Sequence, residues 1–144
     1  MRAVLDTNFW VSYLISHHSP IADVVDIHLI IRGNFAAVTS PVLLEELDKA
    51  LQYPKLQRYY DAETRLRFVA LVAALSEVVD TPEQVPAICR HPVDDWVIAT
   101  AVAGNVDFIV SGNKHLLELE QVGRIAILPP RQFAERLTLS DAPP

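Results

Sequence analysis

Side chains with oxygen atoms that can bind a metal ion recur beside the ends of the predicted strands. They are Asp6, Glu45, Glu46, Asp94, Asp95 and Asn113. Because the carboxyl ends of parallel strands meet at one edge of a sheet, we expect these side chains to come together there. Hard divalent cations prefer such oxygen clusters, and Mg²⁺ in particular takes one or two carboxylates together with waters and substrate phosphate. The pattern therefore predicts a divalent-cation site at that edge, although it names no reaction by itself.

The elements that would position these residues alternate between short apolar strands and helices. Strands are predicted at residues 3–5, 36–39, 77–80, 108–110 and 125–128, and helices at residues 7–15, 21–31, 41–51, 62–76, 94–103, 115–119 and 130–137. Ser40 followed by Pro41 is a typical helix start, and Asp61 can cap the long helix after it. Short strands that are apolar on both faces and alternate with helices indicate a parallel sheet between helix layers. The predicted fold class is therefore α/β.

Each acidic residue also has a purely structural interpretation. Asp6 can cap the helix that follows it, and Thr7 or Asn8 could cap the same helix. Residues 45–46 can belong to a solvated helix face, and an acidic pair at 94–95 is favoured at a helix start by the helix dipole. Taken singly, most of these residues are explained by structure. Their shared position at strand ends favours a common site.

The composition limits the class of protein. The chain has 144 residues, which is the length of one domain, and we expect a single domain over residues 1–138 followed by a flexible tail at 139–144. The formal net charge of −6 argues against a protein that coats DNA, because nonspecific duplex binding needs Lys and Arg to neutralise phosphates. The one cysteine, Cys89, excludes a disulfide framework and fits a cytoplasmic protein. No apolar run approaches the ~20 residues of a membrane span, and no glycine-rich phosphate loop is present.

Four stretches of the chain resemble, in order and spacing, the motifs of PIN-domain ribonucleases. They are residues 6–8 (Asp-Thr-Asn), residues 40–47 with a Glu before Leu, residues 92–101 with an Asp opening a helix, and residues 106–117. The match extends from residue 2 to about residue 128. Within that family the chain is most similar to the bacterial and archaeal members identified as toxins of toxin–antitoxin pairs.

The resemblance implies a three-layer α/β/α sandwich with a central, mainly parallel sheet, and a metal-dependent endoribonuclease that uses Mg²⁺ or Mn²⁺. It assigns catalytic roles to Asp6, Glu46 and Asp94, and these three residues together with Asn113 would bind the metal. Glu46 fits the family pattern because it directly precedes Leu47, and Asp94 fits by its spacing of seven residues from Ala101. The residues that would support these ligands are Thr7, Asn8, Glu45, Asp95 and Ser111. The resemblance also implies an RNA substrate, an antitoxin protein partner and a homodimer.

Positive charge is concentrated in one segment of this acidic chain. Residues 49–67 have a local charge of +3, and their basic side chains are Lys49, Lys55, Arg58, Arg65 and Arg67. Tyr53, Tyr59 and Tyr60 lie among them and could stack on unpaired bases. We predict that this segment contacts the RNA backbone, and an ordinary solvated basic face explains it equally well.

Two positions depart from the family pattern. Asn113 stands where relatives usually carry Asp, and His91 precedes Pro92 where relatives often have Asp. Both changes remove negative charge and should weaken the binding of a second metal ion. A metal ion lowers the pKa of a bound water and polarises a phosphoryl oxygen, so no side-chain nucleophile is required. His91 and His115 are nevertheless candidates for a general base.

Two other functions remain open from the sequence. In the first, a phosphotransfer or phosphatase domain would use Asp6 as its nucleophile, but such proteins place a second Asp two residues later, where this chain has Asn8. In the second, the chain would be a PIN-like module that binds RNA or a protein without cleaving it. The missing charge at Asn113 makes this second alternative reasonable.

Overall fold

One sheet contains the six strands found among residues 1–81, 83 and 92–141, which are the residues that the computed structural model describes. The strands are β1 (Arg2–Leu5), β2 (Ala36–Thr39), β3 (Ser76–Val78), β4 (Phe108–Val110), β5 (Gln121–Val122) and β6 (Ile125–Leu128). Their order across the sheet is β3-β2-β1-β4-β6-β5. All neighbouring pairs are parallel except β5 and β6, which form an antiparallel hairpin.

The order of the strands creates a switch point beside β1. The chain moves from β1 through β2 to β3 on one side, and it then returns to place β4 and β6 on the other side of β1. Leu5 and Val110, the last residues of β1 and β4, are paired in the register of the sheet. Ligand sites in parallel α/β sheets form in the crevice beyond the carboxyl ends of strands at such a switch point. The topology therefore places the candidate site directly after residues 5 and 110.

Seven α-helices, one π-helical segment and one 3₁₀ turn connect or follow the strands in the described ranges. The helices are α1 (Thr7–Ile15), α2 (Ile21–Asp23), α3 (Pro41–Ala50), α4 (Ala62–Leu75), α5 (Pro92–Ala103), α6 (Lys114–Leu117) and α7 (Pro130–Asp141). Helix α2 continues directly as a π-helical segment, Val24–Ile31, and a 3₁₀ turn spans Pro54–Leu56. None of these helices is both long enough and apolar enough to cross a membrane.

Two separate apolar cores lie on opposite faces of the sheet. Because successive residues of a strand point to opposite faces, Ala3 and Leu5 of β1 join one core and Val4 joins the other. The first core is completed by side chains from α1, α4 and α7, among them Trp10, Phe68 and Phe133. The second core is completed by side chains from α5 and α6, among them Val97, Ile98, Ala101 and Leu116. The predicted three-layer α/β/α sandwich with a mainly parallel sheet is confirmed.

The ends of several elements differ from those predicted from the sequence. Helix α5 begins at Pro92, two residues earlier than predicted, because proline is accommodated in the first turn of a helix, where its missing N–H is not needed. Strand β3 begins at Ser76 rather than residue 77. Helix α7 continues to Asp141, past residue 139 where we expected the flexible tail to begin, and residues 142–144 lie outside the described part of the chain.

Aspartates cap the two helices that begin after residues 6 and 61. Asp6, rather than Thr7 or Asn8, is the N-cap of α1, and both alternatives lie within the first turn of the helix instead. Asp61 caps α4 as predicted, since its side chain accepts a hydrogen bond of 2.8 Å from the backbone N–H of Thr64. The two caps have the same chemistry and similar extended backbone angles, but Asp6 is buried and Asp61 is exposed.

Gly104, at the end of α5, allows this helix to end close against the sheet. A Cβ atom at this position would lie 2.7 Å from Cγ1 of Val38, whose side chain is buried in the second core. We therefore expect Gly104→Ala to lower the free energy of unfolding by about 1–3 kcal/mol, the usual cost of overpacking. Urea denaturation measures this loss. Gly112→Ala is the control, because an added Cβ there meets nothing within 4 Å, and equal losses in both variants would contradict the explanation.

Candidate active site

Asp6 lies at the switch point between β1 and β4. Its backbone N–H donates a hydrogen bond of 3.1 Å to the carbonyl oxygen of Val110, which extends the pairing of the two strands by one residue. Ser111, the next residue after β4, therefore lies beside it. This position at the carboxyl edge of the sheet is the one predicted from the sequence for Asp6.

The carboxylate of Asp6 is buried and accepts hydrogen bonds on both of its oxygen atoms. Its Oδ1 atom accepts a hydrogen bond of 2.8 Å from the backbone N–H of Phe9, and its Oδ2 atom accepts one of 2.5 Å from the hydroxyl of Ser111. The residue is 5% exposed. A buried carboxylate is costly unless hydrogen bonds or a positive charge compensate it. Both of these donors are neutral, so they fix the orientation of the carboxylate without cancelling its charge.

Ser111 links Asp6 to the turn after β4. Its side chain is fully buried, and its Oγ atom accepts a hydrogen bond of 2.9 Å from the backbone N–H of Asn113. The Oδ1 atom of Asn113 in turn accepts a hydrogen bond of 2.9 Å from the backbone N–H of His115, which makes Asn113 the N-cap of α6. Asn and Asp cap helices about equally well. Asn113 therefore caps the helix as an Asp at this position would. Compared with the Asp expected from the family pattern, it only lacks the negative charge.

The two glutamates of α3 have different environments. Glu45 is exposed and forms an ion pair with Lys49, one turn later, at 3.4 Å. Glu46 is half-buried. Both line a shallow groove of about 200 Å³ together with Val42, Lys49 and Trp96. The prediction that one of the two glutamates belongs to a solvated helix face agrees with the exposure of Glu45.

The acidic pair at the start of α5 is only partly described. The backbone of Asp94 lies in the first turn of the helix, and its side chain lies outside what the structure describes. The side chain of Asp95 is buried, with 5% exposure. Negative charge in the first turn is favoured by the partial positive charge of the helix N-terminus. His91, one of the two candidates for a general base, also lies outside the described residues.

A buried pair of hydroxyl groups connects α3 to α5. Ser40 stands at the N-cap position of α3, but its side chain does not cap the helix as predicted. Its Oγ atom lies 2.8 Å from Oγ1 of Thr100, and both residues are fully buried. A role for Thr100 was not predicted from the sequence. The only signal was a hydroxyl within an otherwise apolar helix, and nothing in the sequence linked it to a residue 60 positions earlier.

The predicted metal ligands Asp6, Glu46 and Asp94 come from three parts of the chain: the N-cap of α1, the middle of α3 and the first turn of α5. Among the side chains described in residues 1–81, 83 and 95–140, no three His, Cys, Asp or Glu residues are grouped closely enough to hold a metal ion. That set does not include the side chain of Asp94, the third predicted ligand. Asp6 and Glu46 follow neighbouring strands, β1 and β2, and α3 packs against α1. The supporting positions Thr7 and Asn8 lie in the first turn of α1, directly after Asp6.

Most of the predicted RNA-contacting cations form ion pairs on the protein surface. Lys49 pairs with Glu45 at 3.4 Å, Arg65 with Asp48 at 2.9 Å and Arg67 with Glu63 at 2.6 Å. Arg58 lies over the ring of Tyr59, and Lys55 is exposed. The partners Glu45 and Asp48 precede the segment 49–67 and reduce its surplus of positive charge. The segment therefore presents less net charge to a nucleic acid than its sequence suggests.

Together, these features define a class of α/β protein with an acidic site. A parallel sheet between two helix layers holds a buried, oriented carboxylate at its switch point, with further carboxylates on the helices that follow. The chain belongs to the PIN domain family, whose model matches residues 2–115. None of the curated protein sequences matches the chain significantly.

Solved structures with the same fold come from bacteria and an archaeon. VapBC2 from Rickettsia felis, bound to a DNA fragment from its promoter, superposes with a TM-score of 0.62 at 14% identity, covering 90% of this chain and 98% of that one. PAE2754 from Pyrobaculum aerophilum superposes with a TM-score of 0.60 at 14% identity, covering 96% of this chain and 90% of that one. VapC20 from Mycobacterium tuberculosis is a toxin that cleaves the sarcin–ricin loop. It superposes with a TM-score of 0.58 at 12% identity, covering 86% of this chain and 98% of that one. At these identities the likeness extends to the fold alone.

Proposed function

We propose that this protein is a divalent-metal-dependent endoribonuclease that hydrolyses phosphodiester bonds of RNA and acts as the toxin of a toxin–antitoxin pair. The observation that carries the proposal is the buried carboxylate of Asp6, oriented at the switch point by Ser111. Membership of the PIN domain family supports it. So does the fold shared with VapC20, which is a toxin that cleaves the sarcin–ricin loop.

The proposed metal ligands are Asp6, Glu46 and Asp94, with the amide oxygen of Asn113 beside them. These are hard oxygen donors, and a set without thiolate or imidazole suits Mg²⁺ or Mn²⁺ better than zinc. When bound, the ion would supply an acidified water and neutralise charge on the scissile phosphate. Asn113 contributes no charge, which favours a site with one ion.

The residues of the chain itself would orient this site. The N–H of Phe9 and the hydroxyl of Ser111 each hold one oxygen of Asp6, so its carboxylate has a fixed direction before any ligand binds. Ser111 is itself positioned by the N–H of Asn113. A ligand that is positioned in advance loses little entropy on binding, which is why such outer partners commonly change metal affinity or activity by ~10–100-fold.

The proposed protein partners are an antitoxin and a second copy of the chain, acting in the cytoplasm. The likeness to VapBC2 supports the antitoxin partner. Apolar side chains that such partners could cover are exposed on the π-helical segment, where Ile31 is 75% exposed, and on α4, where Leu66 is 58% exposed. Scattered exposed apolar residues are common on proteins, so these side chains support the proposal without identifying either interface.

The proposal is tested by RNA cleavage with and without metal. Purified protein is expected to cleave an end-labelled single-stranded RNA in Mg²⁺ or Mn²⁺, and a chelator is expected to lower the rate by at least about 100-fold, because the ion supplies several kcal/mol of transition-state stabilisation. Adding back the ion should restore the rate. RNA binding without cleavage in either ion would overturn the proposal and favour a non-catalytic module.

A further inference from the structure

The loop that joins α3 to α4 is the part of the predicted RNA-contacting segment that keeps its positive charge. Residues 52–60, between the C-cap of α3 and the N-cap of α4, are called the tip loop below. Its charged side chains are Lys55 and Arg58, and it has no acidic residue, although the whole chain has a net charge of −6. The other cations of the segment, on α3 and α4, lie within 3.4 Å of a carboxylate. A phosphate chain is therefore attracted more strongly to the tip loop than to either helix.

Both cations of the tip loop are accessible to a phosphate group. Lys55 is exposed and forms no ion pair with any residue in the described part of the chain. Nη2 of Arg58 donates a hydrogen bond of 2.8 Å to the hydroxyl of Tyr59, and its Cζ lies 4.8 Å from the centre of the same ring. This bond uses one of several N–H donors of the guanidinium, which can still bind a phosphate through two parallel hydrogen bonds. The adjacent acid, Asp61, caps α4 through the N–H of Thr64.

The same loop carries the exposed aromatic rings of the chain. Tyr53 is 60% exposed and Tyr59 is 50% exposed, whereas every other Phe, Trp and Tyr in the described ranges is buried or half-buried. Bases stack on such rings whatever the sequence of the strand, because every base has a π face. Sites for single-stranded nucleic acid combine cations that follow the backbone with rings that stack on bases. The tip loop has both features within one short stretch of chain.

Hydrogen bonds to the end of α3 hold the tip loop in one shape. Nε2 of Gln57 donates to the carbonyl oxygens of Leu51 and Tyr53, at 2.8 and 3.1 Å. The hydroxyl of Tyr60 donates a bond of 2.5 Å to the same oxygen of Leu51. Within the loop, the backbone N–H of Leu56 donates to the carbonyl oxygen of Tyr53 at 2.9 Å. Because these bonds order the backbone in advance, a ligand does not have to fix it, and the entropic cost of binding is lower.

The tip loop follows the helix that carries Glu46, a proposed metal ligand. Leu51, the C-cap of α3, comes five residues after Glu46 in the chain. At a rise of ~1.5 Å per residue, this separation is about 7 Å along the helix axis. One RNA strand can therefore reach both the proposed metal site and the tip loop.

We propose that the tip loop is a binding surface for single-stranded RNA, in which Lys55 and Arg58 contact phosphates and the rings of Tyr53 and Tyr59 stack on unpaired bases. The identity of the strand as RNA rests on the proposed function. The surface binds nucleotides that flank the one whose phosphate is cleaved, so it sets the affinity for the substrate and takes no part in breaking the bond. An acidic peptide would pair with the cations but leave the rings without planar partners, which favours a nucleic acid.

Salt-dependent binding to a cleavage-deficient protein tests the proposal. The affinity of Asp6→Asn protein for a short, labelled, unstructured RNA is measured by fluorescence anisotropy at several KCl concentrations, without divalent ions. Adding Lys55→Gln and Arg58→Gln is expected to weaken binding and to reduce the slope of log affinity against log salt by about 1.4, because each phosphate contact of a single strand contributes about 0.7. Adding Tyr53→Leu instead is expected to weaken binding by roughly 5- to 150-fold, the usual contribution of one stacked base, with the slope unchanged.

Lys49→Gln combined with Arg67→Gln is the matched control, because it removes the same charge from the same pair of helices. These two cations already face the carboxylates of Glu45 and Glu63, so the slope is expected to change by less than half as much. Equal changes of slope in the two double variants would overturn the tip loop as the binding surface. Duplex RNA that binds as tightly as the single strand would do the same, because its paired bases cannot stack on the tyrosines. So would an acidic peptide that competes as well as RNA, since the surface would then belong to a protein partner.

The outcome can be separated from the test of nuclease activity. The substituted side chains of the tip loop are exposed, so each variant is expected to unfold at the same temperature as the parent. Binding that depends on the tip loop, in a protein that never cleaves RNA, would refute the proposed function and leave the surface standing. A protein that cleaves RNA but whose affinity is unchanged by the tip-loop substitutions would overturn the surface alone.

Discussion

Asp6→Asn is expected to lower the rate of RNA cleavage by at least about 100-fold while leaving the fold intact. Even an outer partner of a metal ligand commonly accounts for ~10–100-fold, and Asp6 is proposed to bind the ion directly. The side chain of Asn has the same shape, so its oxygen can accept the N–H of Phe9 and its amide can donate to the hydroxyl of Ser111. The substitution therefore removes the negative charge and preserves the cap. Cleavage rates at saturating Mn²⁺ and thermal unfolding measure the two effects.

Asp61→Asn is the matched control for this variant. Asp61 caps α4 as Asp6 caps α1, through a hydrogen bond of the same 2.8 Å length to the backbone N–H three residues later. That hydrogen bond lowers the pKa of Asp61, so its carboxylate is charged at neutral pH like an ordinary surface acid. Asn replaces Asp at N-caps with little change in stability. If Asp61→Asn reduced cleavage as strongly as Asp6→Asn, the loss would belong to helix capping and not to a metal site.

Glu46→Gln is expected to produce the second large loss, again at least about 100-fold in the cleavage rate. Glutamine keeps the length and shape of the side chain but carries no charge, and a neutral amide is a much weaker ligand for a hard cation than a carboxylate. Glu46 is half-buried, so thermal unfolding of the variant is measured alongside to separate a loss of metal binding from a loss of stability. Metal titration of the cleavage rate should show a weaker apparent affinity for Mn²⁺.

The adjacent glutamate gives the control on the same helix. Glu45 is exposed, and its ion pair with Lys49 is of a kind that contributes little to stability. Glu45→Gln is therefore expected to leave the cleavage rate within about twofold of the parent, an effect of about 0.4 kcal/mol or less. Equal losses in the two variants would show that the charge of this whole helix matters, and would count against Glu46 as a specific ligand.

The two charge-removing variants also separate the proposed nuclease from a phosphotransfer enzyme. If Asp6 were a nucleophile, Asp6→Asn would abolish a covalent phosphoryl-enzyme, and Glu46→Gln would have no necessary effect. In the structure both oxygens of Asp6 accept hydrogen bonds and the residue is buried. This environment suits a fixed ligand better than a group that must approach a phosphorus atom. If Asp6 and Glu46 bind the same metal ion, Asp6→Asn and Glu46→Gln should reduce the cleavage rate to a similar extent.

Much of the fold could be predicted because the local signals were strong. The strands ending at Leu5 and Val110 are short apolar runs, and the helix starting after Asp61 has a cap and an apolar pattern of helical period. The hairpin strand β5 was missed because its two residues, Gln121 and Val122, become a strand only by pairing with β6. The π-helical form of residues 24–31 was missed for a similar reason. An apolar pattern indicates a helix but does not distinguish between hydrogen-bonding registers.

The candidate site, like the fold, could be predicted from the sequence only in part. The sequence by itself determined which residue types follow which strands, and with parallel strands this was enough to place Asp6 and Asn113 at the same edge of the sheet. Only the tertiary structure decided which oxygen of Asp6 meets which donor, that Glu46 rather than Glu45 is half-buried, and that Ser40 bonds to Thr100 instead of capping its helix. Those outcomes depend on contacts between residues far apart in the chain. Their distances and burial are set by the packing of whole layers, which no local pattern of residues contains.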